Sequence, residues 1–172
     1  MDKEKDQTRF IIQRYDNYIN AANAKGNFLL AFNTFLCGGI IANYKNIKEL
    51  IEIPANYCLV NICLCALLSV SIVTTVLIIK AVYPFLVSGN SSKDKYHSHI
   101  FFDAVAQFSN AKEFCESYSK QTDKDVEMDL AHQAFHVATG LKKKYCFLEW
   151  AMRFVYVELA LLTILVTILI IY

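Results

Sequence analysis

The chain has 172 residues, a net charge of +1, and 17 lysines and arginines against 16 aspartates and glutamates, a balance that argues against a partner held by a strong overall field, such as nucleic acid. Apolar residues make up 55% of it, and it has only 5 glycines and 2 prolines. That composition argues against a soluble strand-and-turn domain and for long helices in a membrane.

The first element follows the charged start MDKEKDQTRF, which lacks the apolar core of a cleavable signal peptide. Phe10, Ile11, Tyr15, Tyr18, Ile19 and Ala22 recur on one face, so an amphipathic helix is expected to run on into a first span at Phe28–Ala42. That apolar run is near the lower limit for crossing a hydrocarbon core about 30 Å thick. Tilt, or extension back through Asn20–Lys25, supplies the missing length. Lys25 marks the inner boundary, from which its side chain snorkels to the head groups. Gly26, Gly38 and Gly39 are expected to allow close helix contact. Asn20, Asn23 and Asn27 share a face, with Asn33 at helical spacing beyond them. In lipid such a stripe needs a neighbouring helix or a water path, so these three are candidate pore-lining residues.

The connection NYKNIKELIEIPANY, with Pro54, is short enough for a helical hairpin. The second span, Cys58–Ile79, carries no charge. Pro84, Gly89, Asn90 and Ser91 then mark a turn. The central segment is expected to form one helix over Ser98–Ser119 and a second from about Asp123, where TDKD supplies cap and negative charge. Val126, Leu130, Ala134, Val137, Leu141, Tyr145 and Leu148 recur at spacings of four and three, a coiled-coil-like seam. The simplest reading is one helix from about Asp125 to the end, bent at Gly140, with the third span at Phe154–Tyr172. The chain thus divides into an N-terminal helix with a transmembrane hairpin (1–83), a cytoplasmic helical module (84–153) and a last span (154–172).

Charge asymmetry orients this all-α, three-span reading. Lys3, Lys5, Arg9, Arg14 and Lys25 precede the first span. Lys93, Lys95, Lys112, Lys120, Lys124 and Lys142–Lys144 lie between the second and third, with Lys80 and Arg153 at the edges. Only Lys45 and Lys48 lie between the first two. Positive residues mark the cytoplasmic side, so the N-terminus and central segment are expected inside and the C-terminus outside. Two spans without the first lose this agreement.

No Walker loop, G-x-S-x-G or dinucleotide fingerprint occurs, and no arginine is followed four to six residues later by a histidine as in helical RNases. No catalytic residues and no cofactor are expected. The 6 cysteines form no C-x-x-C pair and read as small packing residues in a reduced compartment. HQAFH puts His132 and His136 on one face with Asp129 a turn before. This spacing suits a metal but lacks further ligands, so the alternative is a polar face in a vestibule or gate, and no metal is assigned. His97 and His99 fall in a loop. Lys142, Lys143 and Lys144 suit anionic head groups or an anionic ligand such as RNA. Glu158, inside the third span, needs a protein or water partner, and Lys25 is the candidate ion-pair partner.

Three stretches, in order, carry a resemblance: ANAKGNFLL at Ala22–Leu30, HIFFDAVAQFSNAKEFCESY ending at Tyr118, and DLAHQAFHVATGLKKKYCFLEWAMRF from Asp129. They resemble the entry motif, the paired-aromatic helix and the helix before the last span of the Pycsar transmembrane effectors. Asn23 stands where that family usually has aspartate, which leaves no charge for gating there. In length and layout the chain is also similar to the small membrane accessory proteins of type VI-B CRISPR systems, a relation favoured here because no nucleotide-binding domain is legible. The resemblance implies a homo-oligomeric pore in the bacterial inner membrane that depolarises it in antiphage defence. Partners would be the bilayer and further copies of the chain, with functional coupling to an RNA-guided RNase or a nucleotide signal and no direct DNA binding. The alternative is a non-conducting anchor that recruits a partner through its helical module.

Overall fold

A computed structural model describes residues 2–51, 56–84 and 98–171. The described residues are helical, without strands. Helix α1 spans Asp2–Ala42, α2 Tyr44–Glu49, α3 Asn56–Val82, α4 Phe102–Val105, α5 Ala111–Tyr118 and α6 Asp123–Ile171. Three of them, α1, α3 and α6, are long and apolar enough to cross a membrane. Pro54, Gly89, Asn90, Ser91, Lys93, Lys95 and His97 lie outside the described residues.

The chain forms two compact units. One comprises residues 1–21 and 84–143, the other residues 22–83 and 144–172.

In the first unit the helix expected over Ser98–Ser119 is interrupted. Only α4 and α5 form, and a capping box explains the break. Asn110 Oδ1 accepts from the Glu113 backbone N–H at 2.9 Å, and Glu113 Oε2 reaches back to the Ser109 N–H at 3.0 Å. This arrangement starts a new helix at Ala111. The start of α6 is capped in the same way. Thr122 N–H donates to Asp125 Oδ2 at 2.8 Å, and Asp125 N–H returns to Thr122 Oγ1 at 3.3 Å. From there α6 continues for 49 residues, passing Gly140 unbroken.

In the second unit α1, α3 and α6 pack through seams with alternating spacings of three and four. One apolar cluster joins Ile40 of α1, Val60, Cys63, Leu64 and Leu67 of α3, and Leu165 of α6. Another joins Leu29 of α1, Ile78 and Ala81 of α3, and Leu148, Ala151 and Val155 of α6. The order along α3 is the reverse of that along α1 and α6, so α3 runs antiparallel to both. Gly26 permits one close approach, because a Cβ there would lie 2.5 Å from Val82 Cγ2. Gly38 and Gly39 have no neighbour within 4 Å in that direction among the described residues of the chain, so the contact expected of them is not made there.

The seam expected on α6 is also corrected. Leu130 and Leu148 are buried, but Tyr145 is exposed, and Asp129, Gln133 and Lys144 take inward positions. Each of these three polar groups has hydrogen-bond partners that make its burial tolerable.

Candidate functional site: a polar layer between two apolar layers

Between the two apolar clusters of the spanning unit, every helix contributes polar groups. They are Asn33 from α1, Ser71, Thr74 and Thr75 from α3, and Glu158 from α6. Asn33, Ser71, Thr74 and Glu158 have no exposed surface. Each continues its helix's seam at the position where an apolar residue would otherwise stand. Asn33 Nδ2 donates to the Ser71 carbonyl and to Thr75 Oγ1, both at 2.9 Å, tying α1 to α3. The Thr74 hydroxyl meets Glu158 Oε1, tying α3 to α6. Cys37 Sγ approaches Asn33 Oδ1 at 3.9 Å, and Cys63 Sγ approaches the Leu161 carbonyl at 3.6 Å. Hydrogen bonds between helices substitute here for contacts that apolar packing would give.

Lys144 forms a second polar knot in the same unit. It is 5% exposed, and its Nζ donates to Asn23 Oδ1 at 3.1 Å. The carbonyls of Ala81, Val82 and Tyr83 surround the same ammonium at 2.9, 2.9 and 3.0 Å. A cation is thereby placed at the C-terminus of α3, where the dipole and the orphan carbonyls favour it. Lys144 is thus turned inward, away from the head-group role expected for it, while Lys142 and Lys143 remain exposed.

The asparagine stripe divides similarly. Asn23 is half-buried against Lys144, whereas Asn20 and Asn27 are exposed. Lys25 is exposed and borders an apolar groove of about 780 Å³ with Phe28, Tyr145, Leu148, Glu149 and Met152. That level of α6 is more than a turn before Glu158. The structure therefore does not bring Lys25 to Glu158, and no ion pair joins them among the described residues. Thr74 is the partner that Glu158 meets instead.

In the first unit, Asp129 is the hub of a network that sequence reasoning missed. Its Oδ1 accepts from Ser98 Oγ at 2.7 Å, and its Oδ2 accepts from the His99 backbone N–H at 2.9 Å. Gln133 Nε2 donates to the same Ser98 hydroxyl at 3.0 Å. The His99 ring bridges Ser117 Oγ at 2.7 Å and Gln121 Nε2 at 2.8 Å, beside Phe108 and Phe114. Asp129 is thus occupied in folding the loop before α4 and does not face the histidines as a ligand. His132 is exposed, and the half-buried His136 stacks edge-on to Phe135. Among the described residues no three His, Cys, Asp or Glu side chains are grouped to hold a metal. The one available signal for the network was Asp129 and Gln133 at a one-turn spacing.

The Pycsar effector protein domain matches residues 7–171, which include nearly all of α1 and the whole of α2 through α6. No curated protein and no solved structure matches the chain. The match gives no support to the expected link with type VI-B CRISPR systems. It joins three helices long and apolar enough to cross a membrane to a family of membrane effectors that respond to cyclic-nucleotide signals in antiphage defence. This multi-pass membrane protein belongs to the Pycsar effector family.

Proposed function

We propose that the chain acts as a homo-oligomeric pore that depolarises the bacterial inner membrane when a nucleotide signal appears. The N-terminus and the unit of residues 1–21 and 84–143 are cytoplasmic in this reading, as the lysine and arginine distribution favours. The observation that carries it is the contrast within the asparagine stripe. Asn23 has a partner, Lys144, while Asn27 is exposed beside Phe28 at the start of the first span. An exposed amide at the edge of hydrocarbon needs water or another subunit. One subunit whose three spanning helices already pack on each other has no room for a water path, so copies must surround it. Asn20 and Asn27 line the entrance, His132 and His136 face a cytoplasmic vestibule, and Lys142 and Lys143 meet the head groups.

Membrane potential in cells under phage challenge, and ion flux from liposomes holding the purified protein, test this reading. Wild type is expected to depolarise cells. Asn27→Leu is expected to lose most of that effect at equal membrane abundance. Unchanged potential and no flux under every condition would leave a non-conducting anchor that recruits a partner.

A further inference from the structure

We propose that Glu158, with Thr74 and Ser71, is a proton-binding site inside the spanning unit, and that the bound proton latches α3 to α6. The Thr74 hydroxyl lies within bonding distance of two groups, the Val70 carbonyl at 3.0 Å and Glu158 Oε1. It owns one hydrogen, and the Val70 carbonyl can only accept. Both contacts are satisfied together when Thr74 donates to Val70 and the carboxyl donates to Thr74. That arrangement requires a protonated Glu158.

Burial points the same way. Glu158 and Ser71 have no exposed surface, and Glu158 Oε2 and Ser71 Oγ are buried without a hydrogen-bond partner. Ser71 lies a turn before Thr74 on the same buried face of α3. An ionised carboxylate with one oxygen unpaired in a water-excluded layer is far more costly than a neutral acid there.

Among the described residues no neighbouring cation offsets that cost. From α1, Asn33 fills the same layer with its amide committed to α3, and Cys37 is turned to Asn33. From α3, Cys63 is turned to the Leu161 carbonyl, and Lys80 stacks over Phe147. On α6 itself, Arg153 pairs with Glu149 at 2.6 Å on the exposed side. Among the described residues no cation forms an ion pair with Glu158.

Ionisation passes the proton to water and leaves a charge that the layer cannot solvate. Water then enters between α3 and α6, and the orphan oxygens of Glu158 and Ser71 are its first anchors. The consequence for conduction rests on the pore reading above. The proton site itself does not.

The test is infrared spectroscopy of the full-length protein in lipid bilayers at neutral pH, where an ordinary glutamate is ionised. Wild type is expected to show the C=O stretch of a protonated carboxyl. Glu158→Gln removes that band, and Asp129→Asn, at the other buried acid, leaves it. Thr74→Val, which keeps the shape and deletes the hydroxyl, shifts the band upward. No protonated-carboxyl band in wild type overturns the proposal. So does a band that survives in Glu158→Gln. If Glu158→Gln fails to insert, an unshifted band in Thr74→Val overturns it instead. Because the band is read without any ion flux, loss of the pore reading and loss of the proton site are separate results.

Discussion

Lys144 Nζ donates to Asn23 Oδ1 at 3.1 Å, so Asn23 serves as a neutral acceptor for a buried cation. Three carbonyls at the end of α3 complete the cage. Asn23 therefore helps hold α1, α3 and α6 together at one end of the spanning unit.

Lys144→Met is expected to destabilise the spanning unit by about 2–4 kcal/mol, because it removes charge-assisted bonds and orphans the carbonyls of Ala81, Val82 and Tyr83. Asn23→Asp is expected to hold stability at or above wild type by turning the contact into an ion pair. Thermal unfolding in detergent measures both. Wild-type stability in Lys144→Met would show that the cage contributes nothing.

Gly26→Ala puts a methyl group 2.5 Å from Val82 Cγ2. Overpacking of this kind costs about 1–3 kcal/mol, against a helix-propensity gain of about 1 kcal/mol for alanine. Val82 is β-branched and cannot easily rotate the methyl away. Net destabilisation is expected in Gly26→Ala, with recovery in the Gly26→Ala/Val82→Ala double variant. Purely additive effects in the double-mutant cycle would mean that α1 and α3 do not touch there.

Asn33→Leu and Asn27→Leu are expected to separate packing from conduction. Asn33 makes two hydrogen bonds to α3, and its loss should cost about 1 kcal/mol of stability. Asn27 is exposed, so its replacement should leave stability within about 0.5 kcal/mol while changing flux. If Asn27→Leu unfolds the protein as readily as Asn33→Leu, Asn27 is a packing residue.

Much of this architecture was legible because membrane helices announce themselves by length. The runs at Phe28, Cys58 and Phe154 each lie within a long helix, and TDKD does start α6. The seam on α6 was misread for a physical reason. Pattern reasoning assigns polar residues to the surface, yet Asp129, Gln133 and Lys144 point inward. Their partners come from far along the chain, Ser98 for the first two and Ala81–Tyr83 for the third, so no local spacing reveals them. Glu158 was visible as an anomaly, but its partner was not. Thr74 sits in an uncharged span among other hydroxyls, and only the packing of α3 on α6 selects it. The break between α4 and α5 lay open in the sequence as S-N-A-K-E, a cap pattern hidden by the apolar residues around it.

The first turn of α6 is expected to loosen in acid. The Thr122 hydroxyl, and then its backbone N–H, hold the Asp125 carboxyl below the usual carboxylate range. A depressed native pKa means that this group's stabilisation is present above the unfolded value, about 3.9, and is lost as pH falls through the lower native value. From neutral pH down to about 5 the turn should be unchanged, and below about 4 it should fray. Hydrogen-exchange protection factors for Asp125 and Val126, whose N–H groups bond back to the Thr122 carbonyl, report it directly. Asp125→Asn should remove the pH step, and Thr122→Val should lower protection at neutral pH. Equal protection at pH about 3 and pH about 6 in wild type would mean that the reciprocal cap does not hold the start of α6.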